Sequence, residues 1–150
     1  MADNGKYYPP VGFHFKVVFT GIGTEEIDSR FQSVSGLSME LETEAKKEGG
    51  ENRYEHILPV RTKYPVLVLK RGLVNDSELL TKWCNDAFLS LDIRPVDLTV
   101  SLLNENHEPL MTWSVKHAWP RKWSHSDLNA EQNGLAIETF ELQYQYFTLS

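Results

Sequence analysis

The chain has 150 residues, 41% of them hydrophobic and 24% charged, with one cysteine and a formal net charge of −6. A chain this long buries roughly 70% of the surface it exposes when unfolded, so it needs neither disulfides nor a structural metal to fold. The lone Cys84 excludes an intrachain disulfide and a cysteine metal cluster, the acidic balance argues against coating nucleic acid, and the longest aliphatic run, Val66–Leu69, falls far short of the ~20 residues that span a bilayer.

Residues 1–11 are polar, with Tyr7, Tyr8, Pro9 and Pro10 where a secretory signal needs a basic start and an apolar stretch, and read as a flexible arm on a single domain spanning 1–150. From Phe13 to Thr20, Phe13, Phe15, Val17 and Phe19 alternate with His14, Lys16, Val18 and Thr20, the period of a half-buried strand. After the turn Gly21-Ile22-Gly23, a second extended stretch from about Arg30 carries Leu37, Met39 and Leu41 on one face and Ser38, Glu40 and Glu42 on the other. Residues 43–55 (TEAKKEGGENRYE) are charged, hold paired glycines and show no apolar period, which predicts a long projecting hairpin loop. Strand is expected again at about Pro65 to Lys70, covered on both faces.

One helix is expected over about 76–90, with Asn75 and Glu78 as a capping box and Leu79, Leu80, Trp83, Ala87, Phe88 and Leu91 toward a sheet. Three strands follow, Val96–Asn104, Leu110–Trp119 and Ala136–Phe147, the first two joined by a turn-rich hairpin at 104–109. In the last, Phe140, Leu142, Tyr144 and Tyr146 oppose the polar Thr139, Glu141, Gln143 and Gln145. The whole is a mainly β, α+β pattern: an antiparallel barrel or sandwich with one flanking helix, the two architectures being left open by the pattern alone.

The chemistry-bearing residues form no catalytic constellation. The run Gly21-Ile22-Gly23-Thr24-Glu25-Glu26 puts a carboxylate where a dinucleotide loop needs glycine, and it reads as a plain turn. His14, His56, His107, His117 and His125 show no metal-ligand spacing, and Cys84 beside Trp83 reads as a small buried hydrophobe. No catalytic, cofactor or metal-binding residue is therefore assigned. Trp113, Trp119 and Trp123 around Pro120 suit corner packing, with an inter-subunit anchor as the sharper alternative.

In chain order, residues 31–40 (FQSVSGLSME), 48–52 (EGGEN), Leu58-Pro59, 69–72 (LKRG), the helix with Trp83, Trp113, 118–123 (AWPRKW) and Ile137-Glu138 with Glu141-Leu142 resemble the signatures of the tail tube proteins of contractile phage tails. The resemblance extends to the tube subunits of phage-tail-like contractile injection systems. It implies a barrel-like subunit with a flanking helix that forms hexameric rings, stacked into a hollow tube inside a contractile sheath, with no enzyme activity and no cofactor. It also implies as partners the sheath protein, baseplate or spike and tube-terminating proteins and luminal cargo effectors, without sequence-specific nucleic acid binding. Assembly is expected in the cytoplasm, and the product is a particle that is extracellular or membrane-anchored. Under it, Glu44, Lys46, Lys47, Glu48, Glu51 and Arg53 are candidate inter-subunit or inter-ring contacts, and Thr139, Glu141, Gln143 and Gln145 are candidates to face the lumen. The competing class is a monomeric barrel that holds a small apolar ligand with its aromatic residues.

Overall fold

Around Val17 and Phe19, Leu67 and Leu69, Leu98 and Val100, and Phe140 and Leu142, apolar side chains recur at every second position, so each of these strands buries one face, and the burial converges on one interior. The computed structural model describes residues 14–22, 27–46, 56–72, 78–126 and 136–150. Their elements are β1 (His14–Thr20), β2 (Ile27–Phe31), β3 (Ser33–Ser35), β4 (Glu40–Lys46), β5 (His56–Lys63), β6 (Leu67–Gly72), α1 (Glu78–Leu89), β7 (Val96–Leu103), β8 (Pro109–His125), β9 (Ile137–Gln143) and β10 (Tyr146–Leu149). The expected arm over 1–11, most of the loop tip and the Asn75 cap lie outside the described residues.

All pairings between these strands are antiparallel, in the order β2-β1-β7-β8-β9-β6-β3, with β10 added on β8. The two ends of that order are consecutive in sequence: β2 and β3 are halves of one extended segment broken at Gln32, whose N–H bonds the Lys70 carbonyl. The ring of partners thereby closes on itself, which resolves the open question of barrel or sandwich in favour of a barrel. Two local devices make the closure possible. Gly36, at φ 96°, takes the chain out of β3 in a left-handed turn, and a Cβ there would overlap the Val66 carbonyl oxygen. At His117, φ 56°, a bulge in β8 is held by the His117 N–H donating to Asp97 Oδ1, and beyond it β8 leaves β7 and runs along β9.

Four expectations about the elements need correction. The single stretch expected from about Arg30 through Leu41 is three strands, because the chain breaks at Gln32 and turns sharply at Gly36. Residues 43–46 are not loop but the end of β4, and β5, which carries Pro59 and was not foreseen, pairs with them from His56 to Lys63. β8 does not stop at Pro120 but continues to His125. The missing proline donor is accommodated by a register shift between Pro120 and Lys122. The last strand breaks at Tyr144 and Gln145, so that Phe147 rather than Tyr146 turns inward.

The interior is filled by Val17, Phe19, Phe31, Leu67, Leu69, Leu98, Val100, Val115, Phe140 and Leu142, all buried. Helix α1 adds Leu80, Trp83, Cys84 and Ala87, an i, i+3, i+4, i+7 stripe narrower than expected, while Leu79, Phe88 and Leu91 stay exposed. Trp83 lies against Phe19 with ring centroids 6.0 Å apart and satisfies its indole N–H on the Arg94 carbonyl at 2.8 Å. Trp113 and Trp123 pack against this core, in line with the corner-packing reading. Among the described residues no helix is long and apolar enough to cross a membrane.

Candidate inter-subunit surfaces

The hairpin β4–β5 forms a separate two-stranded sheet whose strands contact chiefly each other. Directly paired residues of an antiparallel ladder share a face, so the register sorts its side chains. Glu40 with Lys63, Glu42 with Arg61, Glu44 with Leu58 and Lys46 with His56 form a charged face. Leu41 with Thr62, Thr43 with Pro59 and Ala45 with Ile57 form an apolar one. A bulge between Glu42 and Thr43 keeps this sorting intact along the hairpin. On the charged face the carboxylate of Glu42 meets Arg61 Nε at 2.8 Å. The apolar face has no such internal partner: Leu41 is 57% and Ile57 68% exposed. A two-stranded ribbon of this kind gains little from folding alone, and its exposed apolar side offers area for burial against another surface.

Of the residues proposed for docking, Glu44 and Lys46 stand exposed on the charged face of β4. Lys47, Glu48, Glu51 and Arg53 lie outside the described residues. Of the candidate lumen residues, Thr139, Glu141 and Gln143 share the outward face of β9, opposite the buried Glu138, Phe140 and Leu142. Glu141 is offset by Arg121 Nη1 at 3.2 Å and Lys122 Nζ at 3.7 Å from β8. Gln145 falls in the break after β9, where its N–H bonds the Lys116 carbonyl at 3.0 Å.

One buried group went unforeseen. Arg71 of β6 donates from Nε and Nη2 to Glu138 Oε1 at 2.9 and 2.8 Å, with both side chains about 5% exposed. The guanidinium lies over the rings of Phe31 and Phe140, 5.3 and 5.4 Å from their centroids, and His125 Nε2 sits 3.3 Å from Glu138 Oε2. The sequence carries a faint signal of this pair. Arg71 continues the inward phase of Leu67 and Leu69, and Glu138 that of Phe140 and Leu142, so both charges stand at core positions. His14 and His107, 93 residues apart, are also brought together, with Nε2 and Nδ1 2.9 Å apart.

Cys84 faces this charged pair from the helix. Burial, and next the Glu138 carboxylate, push its thiol up from 9.0 to about 12, against a smaller lowering by Arg71. Tyr144 is likewise pushed up from 10.0 to about 12, first by burial and then by Tyr64. Both groups hold their protons more tightly folded than unfolded, so the stability they support is complete below about pH 9 and declines as pH rises toward about 12. Thermal melts across that window should show a falling melting temperature. The Cys84→Ala variant should show a shallower fall, and an identical slope would remove the thiol from the account.

The geometry shows a closed, side-chain-filled barrel that displays an amphipathic ribbon. Among the described residues no three His, Cys, Asp or Glu are arranged to hold a metal. The profile of the family described as T4-like virus tail tube protein gp19 matches residues 11–148. A chain in the six-fold symmetrised baseplate of the anti-feeding prophage is 33% identical, over 92% of this chain and 91% of that one, with a TM-score of 0.78. A chain of the PVC sheath–tube complex, an extracellular contractile injection system in its extended state, is 28% identical over 97% and 93%, with a TM-score of 0.74. Hcp1 from Salmonella typhimurium shares the fold at 13% identity, covering 90% of this chain and 83% of its own, with a TM-score of 0.56. No curated protein sequence matches the chain.

Proposed function

This chain belongs to the tail tube protein family of contractile injection systems and phage tails, and from that premise we propose how its parts build the tube. The barrel is the body of a hexameric ring, and rings stack along an axis through contacts that repeat without closing, which is the geometry of a filament. The ribbon β4–β5 reaches from its own barrel onto a neighbouring copy, in the same ring or the next. Its apolar face supplies affinity, and Glu44, Lys46, Lys47, Glu48, Glu51 and Arg53 set register and partner choice. The observation that carries this reading is the ribbon itself, whose Leu41 and Ile57 are left without cover by the chain that makes them.

In the same reading Thr139, Glu141, Gln143 and Gln145 line the channel, where a wet polar face limits adhesion of cargo effectors in transit. The sheath protein encloses the tube, and the baseplate or spike and a terminating protein close its ends. The chain acts as one domain over 1–150, with residues 1–11 as an arm, assembles in the cytoplasm and then forms part of a phage-tail-like particle, extracellular or membrane-anchored. Its work is mechanical rather than catalytic. A ligand-holding barrel is not favoured, because Phe19, Phe31, Phe140 and Leu142 occupy the interior where a ligand would sit.

The test is negative-stain electron microscopy with native mass spectrometry over a concentration series, with and without a baseplate template. The wild-type chain should form rings or tubes with hexamers by mass. The Lys46→Glu, Lys47→Glu double variant should stay folded and fail to assemble. Normal tubes from the variant would overturn the role of these lysines, and a wild-type monomer under every condition would overturn the conduit.

A further inference from the structure

At one end of the barrel, His14 opens β1 beside Leu103, and His107 sits in the turn between β7 and β8. His107 is exposed and His14 half-buried, their rings 4.8 Å apart at 71°, and His14 Nε2 and His107 Nδ1 share a hydrogen bond of 2.9 Å. Three hydrogen bonds to Asn104 hold the turn that presents His107. The Asn104 side-chain oxygen accepts from the N–H of Asn106 at 2.9 Å and of Glu108 at 3.0 Å, and the Asn104 carbonyl accepts from the His107 N–H at 3.0 Å. Within it His107 takes φ 61°, a left-handed conformation that glycine or asparagine adopts at lower cost, so the backbone carries strain at the residue bearing the imidazole.

Two neutral imidazoles this close can share one proton, and a second added proton forces like charges into contact. A divalent ion bridges the same two nitrogens without that conflict. Metal–imidazole bonds of about 2.0–2.1 Å that meet at about a right angle place their nitrogens about 2.9 Å apart, whereas a tetrahedral angle separates them by about 3.3 Å. The right-angled arrangement is that of adjacent ligands on tetragonal Cu(II) or Ni(II). We propose that His14 and His107 form a chelating site for such an ion, with water in the remaining positions. The two imidazoles are the site's donors among the described residues.

The experiment is titration of the full chain, free of any histidine tag, with Cu(II), followed by the visible d–d absorption and by nitrogen hyperfine structure in electron paramagnetic resonance. The expected result is one ion per chain with two nitrogen ligands. His14→Gln and His107→Asn should each weaken binding about tenfold or more, since each removes one of two donors. Asparagine is chosen at position 107 because it accepts the left-handed backbone, so the turn survives and a melting curve can show that it has. His56→Ala and His117→Asn, the latter keeping a residue that accepts the left-handed backbone there, should bind as the wild type does. Absence of stoichiometric binding, or binding weakened no more by the first pair than by the second, would overturn the site.

Discussion

Replacing Leu41 and Ile57 together by glutamate should abolish ring and tube assembly while leaving the isolated subunit folded. Both side chains lie on the apolar face of the β4–β5 ribbon, and both are more than half exposed in the single chain. They therefore contribute little to its own stability, and surface changes of this kind usually move folding by no more than about 0.5 kcal/mol. In an assembled tube the same positions would be desolvated. Two carboxylates would then have to enter an apolar contact unpaired, a cost of several kcal/mol at each of many repeated interfaces. Native mass spectrometry and electron microscopy read the assembly, and circular dichroism reads the fold. A large drop in melting temperature would show that the ribbon packs on its own barrel, and tubes of normal appearance would show that another surface joins the subunits.

A second large effect is expected inside the barrel. Glu138→Ala removes the carboxylate that two nitrogens of the Arg71 guanidinium bond, while the guanidinium stays buried against Phe31 and Phe140. Breaking a buried pair from one side costs about 3–5 kcal/mol. For a chain of this size that corresponds to a fall of roughly 6–20 °C in melting temperature. Arg71→Met should behave in the same way, because it takes the guanidinium from the buried carboxylate of Glu138, beside which His125 remains among the described residues. The combined variant, Arg71→Met with Glu138→Leu, removes both charges and both desolvation costs, so it should recover most of the loss. The melts belong on dissociated subunits, since assembly raises the apparent stability by mass action. Single variants within about 1 kcal/mol of wild type would mean that water reaches the pair.

Much of the fold was legible because strand and helix periods report local burial. Phe15 to Phe19, Val96 to Leu103 and Phe140 to Leu142 alternate as half-buried strands do, and the Leu80–Trp83–Cys84–Ala87 stripe marks the helix. What escaped were features whose cause lies elsewhere in the chain. β5 was missed because its eight residues are all exposed and Pro59 argues against strand, so no burial period marks it. Its pairing with β4 supplies the order that its own sequence does not. Pro120 looked like a strand end, yet the register shift against β9 absorbs its missing donor.

The site divides along the same line. The sequence by itself determined that the chain is rich in β-strand with one helix, and the order of its motifs pointed to the tail tube family. These follow from residue type and order, which local spacing preserves. Only the tertiary structure decided that Glu40–Lys46 and His56–Lys63 pair as a ribbon with one charged and one apolar face. That sorting depends on cross-strand register and on the bulge after Glu42. It also decided that Arg71 meets Glu138 across 67 residues and His14 meets His107 across 93. Contacts at such separations are set by barrel closure, and a linear pattern holds no record of which strands become neighbours.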